Sequence, residues 1–276
     1  NIMKSLLKKI KNNLFPHPKI SSVEIPVFKG DLLNGKTALI IGGSGGIGSE
    51  IAKTFVENGC RVVVTGMNEA KLQNVCHDIG TEMAHYVVAD ISHNEEIKLL
   101  VDEAVELLGK IDIFVHGAGV HCHDMFGSVT EQVWDTVMNI NLKSVYFLCQ
   151  EISNYMIENH IKGHMLIVGS ASSAKPGWTP YEISKNGVRA LTLGFADKLI
   201  KHGIVVNSIA PGPVSTPMLG KNDTSDIAWT GNPTGRMSTP AEIANWALFM
   251  VSDMGNMVVG DTFYVSGGSG TICLDK

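Results

Sequence analysis

The alternation of strands and helices along this chain predicts an α/β fold: a single doubly wound parallel sheet with helices on both faces. Three observations lead there. Short runs rich in branched apolar residues alternate with longer segments of helical spacing. The first run is followed at once by a cluster of glycines. Residues with chemical potential then recur just past the ends of the runs, where sheets of this kind bind ligands.

The elements follow in order. Residues 37–41 (Thr-Ala-Leu-Ile-Ile) suit a strand buried on both faces. The stretch Gly42-Gly-Ser-Gly-Gly-Ile-Gly48 turns the chain, and Ile47, Ile51, Ala52, Phe55 and Val56 recur at helical spacing until Gly59. Residues 61–65 (Arg-Val-Val-Val-Thr) read as the second strand. Such a unit lets bare backbone approach a pyrophosphate at a helix N-terminus. Two registers fit the glycines: Gly43, Gly45 and Gly48 as G-x-G-x-x-G, or Gly42, Gly46 and Gly48 as G-x-x-x-G-x-G. Further strands are expected at 84–88, 111–115, 165–168, 204–208 and 262–265. Gly42, Asp90, Gly117, Ser170 and Pro211 then all fall at carboxyl ends, facing one crevice.

Tyr181 and Lys185 sit four apart in Pro180-Tyr-Glu-Ile-Ser-Lys185, on one face of a helix. A phenol is a weak acid at neutral pH, and a fixed ammonium beside it is expected to lower its pKa. The pair is a device for passing a proton to or from a substrate oxygen.

Together, the glycine turn and the Tyr-x-x-x-Lys pair resemble those of the short-chain dehydrogenase/reductase family, whose motifs are G-x-x-x-G-x-G and Y-x-x-x-K. The resemblance runs from about Gly35 to Gly268. Asp90-Ile91 stands where the family's aspartate meets adenine, and His116-Gly117-Ala118-Gly119 where it has N-N-A-G. Asn141 matches its helix asparagine and Ser170 its catalytic serine. The segment 207–212, with Pro211 and Gly212, precedes Val214 and Thr216 as in relatives, and 233–237 and 260–268 match the closing segments. The resemblance implies a Rossmann-type domain that binds NAD or NADP and interconverts a carbonyl and a secondary alcohol. Tyr181 would act as general acid/base, Lys185 would tune it and hold the nicotinamide ribose, Ser170 would bond the substrate oxygen, and Asn141 would support a water-linked path to Lys185. Cofactor contacts would come from Gly42, Ser44, Gly45, Gly46, Ile47, Gly48, Gly66, Met67, Asn68, Asp90, Ile91, Gly117, Ala118, Gly119, Tyr181, Lys185, Pro211, Gly212, Val214 and Thr216. The contrasting expectation is a dinucleotide-binding sensor or scaffold without turnover.

Several positions depart from the family pattern. Ser170 lies only eleven residues before Tyr181, with Ser172 and Ser173 as rivals. His116 replaces a bracing asparagine, Ile41 a common threonine, and Ser266 an aspartate. The end of the second strand carries Gly66 and Met67 instead of an acid for the ribose hydroxyls or an arginine for a 2′-phosphate. With Asn68 and Lys71 nearby, the balance leans to NADP.

Composition fits a globular α/β protein. The 276 residues carry a net charge of −5 and are 44% apolar, which gives no reason to expect nucleic acid. Cys60, Cys76, Cys122, Cys149 and Cys273 show no C-x-x-C pairing and read as reduced thiols of a cytoplasmic protein. No metal site is expected: His121-Cys122-His123-Asp124 is a run of adjacent donors, better read as a loop bordering the substrate beside Trp178 and the segment 217–230. Residues 1–33 form an extension ahead of the domain at 34–276. Within it Met3, Leu6, Leu7, Ile10 and Leu14 alternate with lysines, an amphipathic pattern that can meet a membrane surface or a partner through 3–15, or pack on its own domain; Pro16, Pro18 and Pro26 punctuate the rest. The resemblance also implies a homotetramer or homodimer, and Val145, Tyr146, Phe147, Leu148, Leu191, Leu193, Phe195 and Phe263 to Val265 supply surplus apolar surface for it.

Overall fold

The computed structural model of the chain describes residues 20, 30–122, 126–220 and 226–272. The strands are β1 (Thr37–Ile41), β2 (Arg61–Gly66), β3 (Ala84–Val88), β4 (Ile113–His116), β5 (His164–Val168), β6 (Val205–Pro211) and β7 (Thr262–Val265). The helices between them are α1 (Gly46–Val56), α2 (Glu69–Ile79), α3 (Asn94–Leu108), α4 (Glu131–Met138), α5 (Ser144–Glu158), α6 (Pro180–Leu199) and α7 (Pro240–Val251). All paired strands run parallel in the order β3-β2-β1-β4-β5-β6-β7, which reverses direction between β1 and β4.

Alternation within each strand divides the core. Ala38, Ile40, Val62, Val64 and Val115 face Ile51, Phe55, Leu72, Ala244 and Leu248 from α1, α2 and α7. Leu39, Ile41, Val63 and Phe114 face Leu100, Ala104, Val145, Ile152 and Val188 from α3, α5 and α6. Burial on both faces explains why these strands read as unbroken apolar runs.

The expected strand positions hold with shifts at their ends. The strand expected at 111–115 occupies Ile113–His116, because Asp112 turns its carboxylate back to accept from the Thr37 backbone N–H at 3.1 Å. The strand expected at 204–208 extends to Pro211. Val145 and Leu148 are core residues, whereas Tyr146 and Leu193 lie 46% and 62% exposed. Cys60, Cys76, Cys122 and Cys149 are free and buried. No helix among the described residues is long and apolar enough to cross a membrane. The amphipathic pattern at 3–15, Pro16, Pro18, Pro26, His123, Asp124 and Cys273 lie outside the described residues.

Candidate active site

Thr65, Ile41, His116, Ile167 and Ser208 stand in one register across five strands. The expected site residues follow directly beyond this row, so the crevice is built by the strand ends themselves.

The glycine turn follows from sterics. Gly42 has φ +77°, and a Cβ there would meet the Ala118 backbone nitrogen at 2.7 Å. The turn therefore closes against the loop 117–119. A Cβ on Gly48 would run into the Gly42 carbonyl oxygen, and one on Gly46 would press the Thr216 methyl group at 3.0 Å. Gly45, by contrast, has an ordinary extended backbone, and its nearest obstacle is at 3.3 Å. Gly43 is needed as well, since a Cβ there would meet the Val64 side chain at 2.5 Å, so sterics ask for glycine at Gly42, Gly43 and Gly48 and leave both registers open. Gly45 caps α1 with no side-chain hydrogen bond, and no acidic residue occupies the first turn. That leaves an electropositive helix end bordered by bare backbone, which fits a pyrophosphate.

The neighbouring positions are more constrained. The Ser44 hydroxyl leans toward Gly66, 2.9 Å from where a Cβ would stand. Met67 is 70% exposed, while the Asn68 side-chain oxygen is engaged in capping α2 through the Lys71 N–H at 2.9 Å. Asp90 accepts from the Ser92 N–H at 2.9 Å, and this bonding holds its carboxyl below the usual range. Ile91 packs beside it against the α3 side of the core. On the far wall, a Cβ on Gly212 would meet the Ser266 carbonyl oxygen at 2.7 Å, and buried Val214 and Thr216 run on from Pro211.

Tyr181 lies in the first turn of α6, where a capping box fixes the helix start. The Glu182 N–H donates to Thr179 Oγ1, and the Glu182 carboxylate accepts from the Thr179 N–H at 3.2 Å. Ser170 is the side chain that acts on the Tyr181 hydroxyl, favouring its ionised form. Of the rival serines, Ser173 turns away to donate to the Ser170 carbonyl at 2.8 Å and to meet Tyr264, and Ser172 offers only its backbone N–H to Ser170 Oγ. Lys185 is 6% exposed; its ammonium donates to the Val168 carbonyl at 3.3 Å and lies 5.8 Å from the centre of the Tyr181 ring.

The electrostatics correct one expectation. The net shift at Tyr181 is upward: burial raises its pKa above the ordinary value, and Ser170 opposes that. Burial lowers Lys185 itself to about 8. The ammonium donates to the Val168 carbonyl and lies over the Tyr181 ring. Asn141, fully buried in a π-helical segment (Asn139–Lys143), accepts from the Val120 N–H and donates to the Val120 carbonyl, both at 2.8 Å, and also donates to Ser184. Its side chain pins the loop after β4. His116, 1% exposed, is held neutral by burial, which lowers its pKa to about 3.

Two residues of the loop read from sequence as bordering the substrate, His121 and Cys122, stand beside Tyr181. His121 lays its ring 4.6 Å from that of Tyr181, and the buried Cys122 thiol borders the same tyrosine. Only their place on the loop after β4 hinted at this. A cavity of about 420 Å³ lined by Lys36, Asp112 and His164 opens at the opposite end of the strands and has no part in this site.

Comparison with known proteins agrees with the geometry. The family model described as short chain dehydrogenase matches residues 36–226. The (2S)-((R)-hydroxy(phenyl)methyl)succinyl-CoA dehydrogenase subunit of Thauera aromatica is 33% identical over 244 residues, covering 86% of this chain and 97% of that one. The 3-oxoacyl-(acyl-carrier-protein) reductase of Chlamydia pneumoniae is 34% identical over 243 residues, covering 86% and 97%. The crystal structure of 3-ketoacyl-(acyl-carrier-protein) reductase from Brucella melitensis, complexed with NADH, superposes with a TM-score of 0.80 at 29% identity, over 87% of this chain and all of that one. The chain belongs to the short-chain dehydrogenase family. It is an NAD(P)-dependent oxidoreductase that interconverts a carbonyl and an alcohol on a small molecule; a sensor without turnover is not favoured.

Proposed function

We propose that this chain reduces the ketone of an acyl thioester to a secondary alcohol, with Tyr181 as proton donor. The observation that carries the reading is the trio beyond β5: buried Ser170 acting on the Tyr181 hydroxyl, with the buried Lys185 ammonium 5.8 Å from the centre of the Tyr181 ring. A substrate carbonyl set against both hydroxyls accepts a hydrogen bond from Ser170 and takes the phenolic proton as charge grows on its oxygen. Lys185 offsets the charge left on the phenolate, and Asn141 is a positioning residue that holds the loop at Val120.

When bound, the nicotinamide cofactor supplies the hydride. Gly42, Ser44, Gly45, Gly46, Ile47 and Gly48 would hold its pyrophosphate, and Gly66, Met67 and Asn68 its adenosine ribose. Asp90 and Ile91 would border the adenine, while Gly117, Ala118, Gly119, Tyr181 and Lys185 border the second ribose. Pro211, Gly212, Val214 and Thr216 would face the nicotinamide. The absence of an acid at 66 favours NADP. The thioester class is supported by the names of two relatives, one acting on a succinyl-CoA and one on a 3-oxoacyl carrier protein. A cytoplasmic homo-oligomer completes the reading.

Oxidation of NADPH and NADH against a panel of acetoacetyl-CoA, sugar ketones and steroid ketones tests it. Acetoacetyl-CoA should be reduced fastest, with NADPH preferred. Faster reduction of a sugar or steroid would overturn the substrate class, and no turnover with any carbonyl would overturn catalysis.

A further inference from the structure

The segment beyond β6 is tied to Ile20, in the N-terminal extension, by a short ladder of hydrogen bonds. Ile227, 5% exposed, donates its N–H to the Ile20 carbonyl at 3.0 Å and accepts from the Met237 N–H at 2.8 Å. The Ile20 N–H donates to Asp226 Oδ1 at 3.1 Å, across 206 positions of sequence, and the same oxygen accepts from the Ala228 N–H at 3.0 Å. Ala228 pairs antiparallel with Arg236. Ser238 continues inward, donating to the Pro213 carbonyl and accepting from the Ser215 N–H, both at 2.9 Å. The rungs therefore run from the extension, through 226–228 and 236–238, to the segment 213–216 that presses on the glycine turn at Gly46.

A loop of this kind is costly to order, because each fixed residue loses backbone freedom. A ladder that orders it before substrate arrives makes binding tighter without altering the reacting groups. We propose that Asp226 is a positioning residue that clasps the extension at Ile20 to the substrate wall, so that the extension sets affinity for the substrate while leaving the chemical step alone. The inference rests on the reading of the crevice as a carbonyl-reducing site. It gives a role to a segment that the family pattern leaves outside the domain.

The test uses full-length variants with acetoacetyl-CoA and NADPH. Ile20→Pro removes the N–H donor without touching the wall, and Asp226→Ala removes the acceptor of both bonds. Each should raise KM about tenfold, equivalent to about 1.4 kcal/mol, with kcat within about twofold of the unaltered chain. The double variant should be no worse than Asp226→Ala alone, and Asp226→Asn, which keeps an acceptor oxygen, should restore most of the affinity. Amide exchange at Ile227 should quicken in Ile20→Pro. An unchanged KM in Ile20→Pro, or strictly additive effects in the double variant, would overturn the inference. If the unaltered chain does not reduce acetoacetyl-CoA, the thioester reading falls. Exchange at Ile227 then decides the clasp by itself: faster in Ile20→Pro sustains it, unchanged overturns it.

Discussion

Lys185 carries an ammonium into a site where its hydrogen-bond partner is the Val168 carbonyl and where burial alone lowers its pKa to about 8. Such a placement weakens the fold in return for chemistry, the usual sign of a functional group. The linkage has a definite sign. An unfolded lysine titrates near ~10.4, so between about pH 8 and 10 the unfolded chain binds more protons and stability rises with pH; below about 8 the full burial penalty is present. Lys185→Met should therefore raise the melting temperature at pH 7, by ~2–4 °C per kcal/mol of relieved penalty, and flatten that rise while turnover collapses. A lower melting temperature in calorimetry would show that the ammonium stabilises the fold. The identities of Tyr181, Lys185 and Ser170 could be read in advance from motif spacing. The direction of the Tyr181 shift could not, because it depends on how deeply one ring is buried and on where a flexible side chain points.

Helix α6 shows how local sequence sets a site. Thr179 and Glu182 close its first turn reciprocally, Pro180 occupies the first helical position, and Tyr181 is fixed within that turn. The same box recurs at α7, where Glu242 also takes a bidentate Arg236 at 2.9 and 2.6 Å and so anchors the segment that leads into that helix. Thr179→Ala should cost about 1 kcal/mol and lower the melting temperature by ~2–4 °C. It should also reduce kcat more than cofactor affinity, since the first turn holds Tyr181 and not the glycine turn. Equal losses in both would mean that the box serves stability alone. Strands β1 and β2 were readable because burial on both faces leaves an unbroken apolar run. The onset of β4 was not, since it depends on Asp112 reaching Thr37, a contact 75 residues apart. The link between Ile20 and Asp226 was hidden for the same reason.

The whole sheet presents its carboxyl ends as one crest, and the row from Thr65 to Ser208 explains why motifs far apart in sequence meet there. The doubly wound parallel layout followed from the alternation of elements and the glycine turn, whereas the order of the strands and the surface that remains open depend on packing. Tyr146 and Leu193 stay exposed beside Phe195, and the edge strand β7 is only partly covered. Sedimentation at micromolar concentration should show a dimer or tetramer, and a single species of monomer mass would refute assembly through these faces. The central claim is that this crest reduces carbonyls through Tyr181. It is tested most directly by Tyr181→Phe, measured side by side for NADPH binding and for acetoacetyl-CoA reduction. Binding should be nearly unchanged and turnover should fall by at least about a hundredfold, the scale of general acid catalysis. A variant that binds NADPH and retains more than about a tenth of the rate would contradict the account.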